Sequence, residues 1–479
     1  MATLDASVFA TMFLGNDEGQ VEMDPEVAHA ERELLRVRRA TAMEENDKVE
    51  FFNTGKLNSV CEKMAMHLET ASIQEHGCAV LRNLACTAKH MEAVTEVQGV
   101  DLICNAMEAH LASASVQEQG CGALSNLARN PDFHNSIAKA GGFEHIKLAM
   151  QRHHQSPEVQ EQACAALWNL SADSPNNQTS LAKLRFIGLL GSCMERHATS
   201  PEVLEGALGA IANMTASNAA NKEAVVAAGG LKWICTALSA HQDVEGVQRQ
   251  GCAALWSLQA GGTRSFGDNR AVFQCLSNAI TNQLVAPDVS ENACGAIRSL
   301  TAHRADNKEQ ALQAGCIEAV FEALASHPES SGVERQGWGA LLNLAAGGPS
   351  VQEELIRCGL VNKVLKNMSS HSDDVDMLEL LCGILRNLAA GGPTTSLELM
   401  KRHAATSMCR VMRDNVHVSM LQRQGCEVLR HACSWEEKAL HSIHVAGGFQ
   451  HICNGMAAHK KDTILQERGC AALAQVAKC

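Results

Sequence analysis

Six asparagines recur along this sequence at a near-constant step: Asn83, Asn126, Asn169, Asn213, Asn343 and Asn387. A carboxamide offers a donor and an acceptor together, so a row of them suits pairing with peptide units of any side-chain identity. Ser257, Ser299, His431 and Gln475 take the same place elsewhere in the chain. Seven residues earlier runs a second polar row that includes Gln119, Gln162, Gln250 and Gln336. Trp168 and Trp256 stand directly before the row, as do Arg298, Arg386 and Arg430, while Arg335 and Arg423 lie eight residues before it. Charge gives the row a direction: Glu75, Glu118, Glu161 and Glu205 occupy that eighth place early in the chain, and arginines occupy most of it later.

Two other residue types repeat with the same step. Cys78, Cys121, Cys164, Cys252, Cys294, Cys382, Cys426 and Cys470 share one position, and His67, His110, His153, His197, His241, His327, His371 and His459 share another. No C-x-x-C occurs, which removes the usual zinc and dithiol readings. Packed helices lie about 8–10 Å apart, too far for equivalent cysteines of successive units to form a disulfide, so these are expected to be small buried apolar groups. The histidines are expected to cap helix C-termini, where an imidazole can bond the last carbonyls. No nucleophile elbow, phosphate-binding loop, dinucleotide glycine fingerprint or zinc-protease pattern stands at a usable spacing. A non-enzymatic protein with no metal and no cofactor is expected.

These rows belong to one phrase, V-Q-x-Q-G/A-C-x-A-L-x-N-L-A, which runs ten times, from Ile73–Ala85 to Leu465–Ala477. Such self-similarity at about forty residues marks a stack of helical repeats. Within it the apolar residues fall at three- and four-residue spacing, as in Val159, Ala163, Ala166, Leu167 and Leu170, so each phrase is a helix. Two more helices precede it, divided by a glycine pair such as Gly229-Gly230 and ended before a Ser-Pro such as Ser156-Pro157 or Ser200-Pro201. The unit predicted is one short helix followed by two longer ones. Residues 1–24 read as a flexible segment, 25–43 as a polar N-terminal capping helix, and 44–479 as the repeat array, irregular near 261–268 where Gly261-Gly262-Thr263 replaces a clean first helix.

That unit closely resembles the armadillo repeat, through phrases such as Val159-Gln160-Glu161-Gln162-Ala163-Cys164-Ala165-Ala166-Leu167-Trp168-Asn169-Leu170. The resemblance covers roughly residues 44–479 and implies an all-α, right-handed armadillo-type solenoid of about ten three-helix repeats. It also implies that the third helices line a concave groove, with the Asn row gripping the backbone of an extended partner and the Gln, Trp and Arg positions beside it. Four residues before the Asn row lie mostly tiny residues such as Gly122, Gly209, Gly295 and Gly339, where nuclear-import adaptors carry tryptophan. The resemblance is therefore to general scaffolds of the catenin and vacuolar-protein kind.

Composition is consistent with this. The chain is 46% hydrophobic, with only 3% aromatic residues and no tyrosine, a diet suited to helix packing. A net charge of −13 speaks against nucleic acid, and no apolar stretch approaches the roughly 20 residues of a membrane span. The expected function is a protein-binding scaffold or adaptor, cytoplasmic or else nuclear or cytoskeletal, holding an extended and acidic segment. Alternatives are a structural component of a large assembly such as a ciliary axoneme, and a regulator of small GTPases. At the C-terminal end Leu473 and Val476 have no later helix to cover them. Docking or self-association through that repeat is expected, or else continuation in a longer chain.

Overall fold

The computed structural model describes residues 24–42, 56–260, 268–435 and 437–476. They are helical, with no strand among them, and fall into two compact units, Met1–Ala166 and Leu167–Cys479. The expectations for residues 1–23 and for the break at 261–267 lie outside the described residues, as do those for residue 43 and for the Val476 side chain.

The three-helix unit recurs along the described residues; two repeats, those ending in Ala71–Leu84 and Pro287–Thr301, show only their second and third helices there. Ala219–Ala227, Gly230–Ala240 and Glu245–Gln259 form one copy; Ala305–Gln313, Cys316–Ser326 and Ser331–Ala345 form another. The division between the first two helices comes from Gly229, which adopts φ 91°, a left-handed conformation that costs glycine nothing. Gly141, Gly315, Gly359 and Gly447 do the same, whereas Gln98, Arg185 and His403 take it without being glycine. Third helices open with proline at Pro157 and Pro201, as the Ser-Pro signal predicts. Repeat three departs from the pattern in its first helix, which is a 3₁₀ turn, Pro131–Phe133, leading into His134–Lys139.

In the first unit, helix Pro25–Thr41 is capped by the Asp24 carboxylate on the Glu26 amide at 2.9 Å. It buries Ala30 and Leu34 against Ala71–Leu84, and Arg38 pairs with Glu75 at 2.7 Å. Cys78, Cys121 and Cys164 are fully buried, as are Cys252, Cys294, Cys382 and Cys426 in the second unit. Burial pushes the Cys78 and Cys294 thiols up to about 12, the behaviour of apolar filler. Cys470 differs from its equivalents in being exposed.

The recurrent histidines sit at the helix C-caps, but most of those with a described bond reach past their own helix. His110 Nε2 meets the Leu68 carbonyl at 2.7 Å and His153 Nε2 that of Leu111 at 2.9 Å. In the second unit His241 reaches Ala198 at 2.8 Å and His459 reaches Val416 at 2.9 Å. A carbonyl only accepts, so Nε2 carries the proton in each, and each bond ties a repeat to its predecessor. The helix's own last carbonyls go to the first Gln of the phrase instead. Gln248 Nε2 donates to Leu238 O and His241 O, both at 2.8 Å, and Gln117 does the same to Met107 O and His110 O. His371 is the exception, bonding Asn367 of its own helix at 3.1 Å.

Successive third helices pack directly on one another, as Pro201–Thr215 does on Glu245–Gln259. The side chain before the Asn row lies across the tiny residue of the following repeat. A Cβ on Gly209 would stand 2.6 Å from the Trp168 ring, and one on Gly295 would stand 2.6 Å from the Trp256 ring. Arg82 covers Gly122, Arg298 covers Gly339 and Leu342 covers Gly383 in the same way. Where the covering residue is small, Ser125 or Ala212, the next repeat carries alanine, Ala165 or Ala253. Gly295→Val should therefore collide with a rigid ring and cost about 1–3 kcal/mol in urea unfolding. Trp256→Ala in the same chain should recover part of that loss. A Gly295→Val protein as stable as wild type would show that the ring is not seated there.

Candidate functional site: the third-helix face

Each described Asn of the row is half-buried at the C-terminal end of a third helix. In the first unit Asn126 Nδ2 donates to Arg82 O at 2.9 Å, and Asn83 Nδ2 lies 3.4 Å from Arg38 O and 3.3 Å from Thr41 Oγ1. In the second, Asn213 donates to Trp168 O at 2.9 Å, Asn343 to Arg298 O at 2.8 Å and Asn387 to Leu342 O at 3.0 Å. Asn169 is also half-buried and engaged. Ser257 serves the same carbonyl role, donating to Ala212 O at 2.8 Å. The amides thus spend one N–H inside the protein, which fixes the ring of contacts and points each amide in one direction.

The Gln row behaves differently in the two units. Arg82 joins it in the first, donating to Gln119 Oε1 at 3.2 Å and to Gln162 Oε1 at 2.9 Å. Gln119 and Gln162 in turn donate to Glu118 at 2.9 Å and Glu161 at 2.8 Å. This network spans three third helices and takes up the acidic residues there. In the second unit Gln336 accepts from Arg298 at 3.2 Å and Gln250 is buried. Trp168 and Trp256 are half-buried, with their rings laid on Gly209 and Gly295.

The arginines split into satisfied and crowded. Arg423 grips Asp462 with Nε at 2.8 Å and Nη2 at 2.7 Å, and Arg249 meets Glu205 at 3.0 Å. The Ser419 hydroxyl and Arg423 together hold the Asp462 carboxyl well below the usual range. Arg335 is exposed. Arg386, Arg430 and Arg468 all lie near the Glu427 carboxylate. It takes Arg430 at 2.6 Å, Arg468 at 3.4 Å and His431 at 3.6 Å. Arg386 instead donates to the neutral Asn387 Oδ1, at 2.9 Å and 3.2 Å. Burial, and then the Arg468 charge, lower its pKa, the mark of a cation short of negative charge.

Glu427 was not among the residues that spacing singled out. Its signal is present, because it is the one acidic residue at the position otherwise held by glycine or alanine. Asp462 and the capping Gln248 were likewise missed, since their roles depend on a neighbour distant in sequence or on a helix end.

Among the described residues, Glu318, Glu354 and Cys358 bring ligand-type atoms within 4.8 Å of one another. Arg357 already bridges both carboxylates, meeting Glu318 at 3.2 Å and Glu354 more closely still. Arg357 holds the Glu354 carboxyl down at about 2, and burial pushes the Cys358 thiol up to about 11, so the cluster is an ion pair beside a neutral thiol. No helix among the described residues is long and apolar enough to cross a membrane.

Because the row bonds across repeats, Asn213→Ala should cost about 0.5–1.5 kcal/mol of stability through the lost bond to Trp168 O. Chemical denaturation measures this, and an unchanged midpoint would mean that the amide is solvated in the free protein.

The arrangement can be set beside known proteins. A crystal structure of an engineered protein is similar with a TM-score of 0.74 and 20% identity, covering 88% of this chain and 98% of that one. A chain from the structure reported as "A conserved phosphorylation switch controls the interaction between cadherin and beta-catenin in vitro and in vivo" gives a TM-score of 0.65 and 14% identity, covering 99% of each. At such identities the likeness speaks for the fold, which is that of the armadillo repeat proteins. No curated protein matches the sequence. The profile of one family, described as "Protein zer-1 homolog-like, C-terminal domain", matches residues 62–255 and again 148–422. With more than half of its length matched, the chain belongs to the family of the zer-1 homolog-like C-terminal domain.

Proposed function

We propose that the chain is a protein-binding scaffold and that the third-helix face of its second unit holds an extended acidic segment of a partner. The observation that carries this is Arg386, which stands near Arg468 and Glu427 and donates to the neutral Asn387 amide. An arginine bonded only to a neutral amide gains when an anion arrives, because charge-assisted bonds to guanidinium are about twice as strong as neutral ones. The overall charge of −13 does not oppose it. At physiological salt the Debye length is about 8 Å, so a partner near Arg386 feels the local cluster rather than distant acids.

The Asn row supplies the sequence-independent part. With one N–H tied to the preceding helix, Asn213 and Asn343 present an oriented carbonyl oxygen and a second N–H. Such preorganisation lowers the ordering cost of binding an extended chain. In one of the similar structures the reported interaction is between cadherin and beta-catenin, a protein partner for a chain of this fold.

A fluorescein-labelled oligoglutamate peptide tests the reading by fluorescence anisotropy. Wild type should bind it, more weakly as salt rises, and Arg386→Glu with Arg468→Glu should reduce affinity about tenfold or more, as loss of a charged hydrogen bond worth about 1.5–3 kcal/mol implies. A circular-dichroism melt checks that the variant is folded. Binding that ignores both salt and the charge reversal, or no binding by wild type, would overturn the acidic-segment reading.

A further inference from the structure

The eight cysteines at the repeated position are expected to be buried apolar groups, and for seven of them the structure agrees. One pair stands apart. Cys235 lies on Gly230–Ala240 and Cys275 on Arg270–Asn282, second helices of successive repeats that pack on each other in the second unit. Cys275 Sγ lies 3.8 Å from the Cys235 carbonyl oxygen, to which its S–H donates, and 3.6 Å from Ser239 Oγ. Cys235 is half-exposed, and Ser239 is exposed at the edge of the pair. The distance argument that separates equivalent cysteines on the third helices does not apply here, because the Cys275 sulfur reaches across the helix–helix seam to the backbone of Cys235 itself.

We infer that Cys235 and Cys275 form an oxidation site that a hydroperoxide converts to a disulfide joining the second helices of repeats five and six. The Cys275 thiolate attacks one peroxide oxygen, the O–O bond breaks, and hydroxide leaves, giving a sulfenic acid. The Cys235 thiol then attacks that sulfur, forming the S–S bond and releasing water. Two thiols lose two electrons, and the peroxide is reduced to two waters once hydroxide takes up the thiol proton.

The surroundings favour Cys275 as the attacking sulfur. Its thiol is drawn below the usual range, because the Cys235 thiol and the Ser239 hydroxyl both stand where they can donate to its thiolate. Cys252 is a further titratable group beside the pair, and burial raises it, leaving it protonated and slow. The bond would tie two repeats on either side of the break in the pattern at residues 261–267.

The test treats the intact chain with limiting hydrogen peroxide, alkylates remaining thiols and maps peptides without reduction. A Cys235–Cys275 linked peptide should appear before any other cysteine is oxidised. In Cys235→Ser the Cys275 sulfenic acid should persist and be captured by a cyclic diketone. Iodoacetamide labelling of Cys275 in untreated wild type should show a midpoint below that of an ordinary thiol, which Ser239→Ala should move up. Oxidation first at exposed Cys86 or Cys470 with this pair left reduced, or linkage of Cys275 to Cys252 instead, would overturn the inference. The wild-type map alone decides this if a variant fails to fold.

Discussion

One contact, repeated within each unit, holds the third helices in register. The residue just before the Asn row sends its carbonyl oxygen to the next repeat's Asn and lays its side chain on that repeat's small residue. Arg82 does so with Asn126 and Gly122, Trp168 with Asn213 and Gly209, Arg298 with Asn343 and Gly339, and Leu342 with Asn387 and Gly383. The two halves reinforce each other, since the hydrogen bond sets the helix separation and the glycine lets a large side chain fit within it. A larger residue at Gly209 would push the Trp168 ring away and draw the carbonyl from Asn213.

That contact also decides what the face can offer a partner. The amides are held rather than free, and the covering side chains are spent on the neighbouring repeat. Trp168 and Trp256 pack instead of projecting, so the aromatic clamp of the import adaptors is absent from these positions. What stays available is charge, and here the two units differ. In the first, Arg82 neutralises an acidic row through Gln119 and Gln162. In the second, Glu427 stands where a glycine or alanine would stand, and three arginines crowd it. A substitution that breaks the packing rule of the repeats thus becomes the centre of the charged patch.

The sequence by itself determined the three-helix unit, its period and its boundaries, because those depend on local signals: apolar spacing, Pro157 and Pro201, and the glycine at Gly229. It also determined that the repeated cysteines other than Cys470 are core, since a position shared by many repeats with no ligand spacing has little to do but pack. Tertiary structure alone decided where polar groups spend their hydrogen bonds. The Asn amides, expected to grip a partner, each spend an N–H on a cross-repeat bond, the histidines reach the preceding repeat, and the capping work passes to glutamines such as Gln248. The partner in each case lies about one repeat away or across a turn, and a periodic pattern gives position without direction. The nearness of Cys235 to Cys275 has the same origin: the two occupy no shared place in the repeat, and only the packing of two neighbouring helices brings the Cys275 sulfur against Cys235.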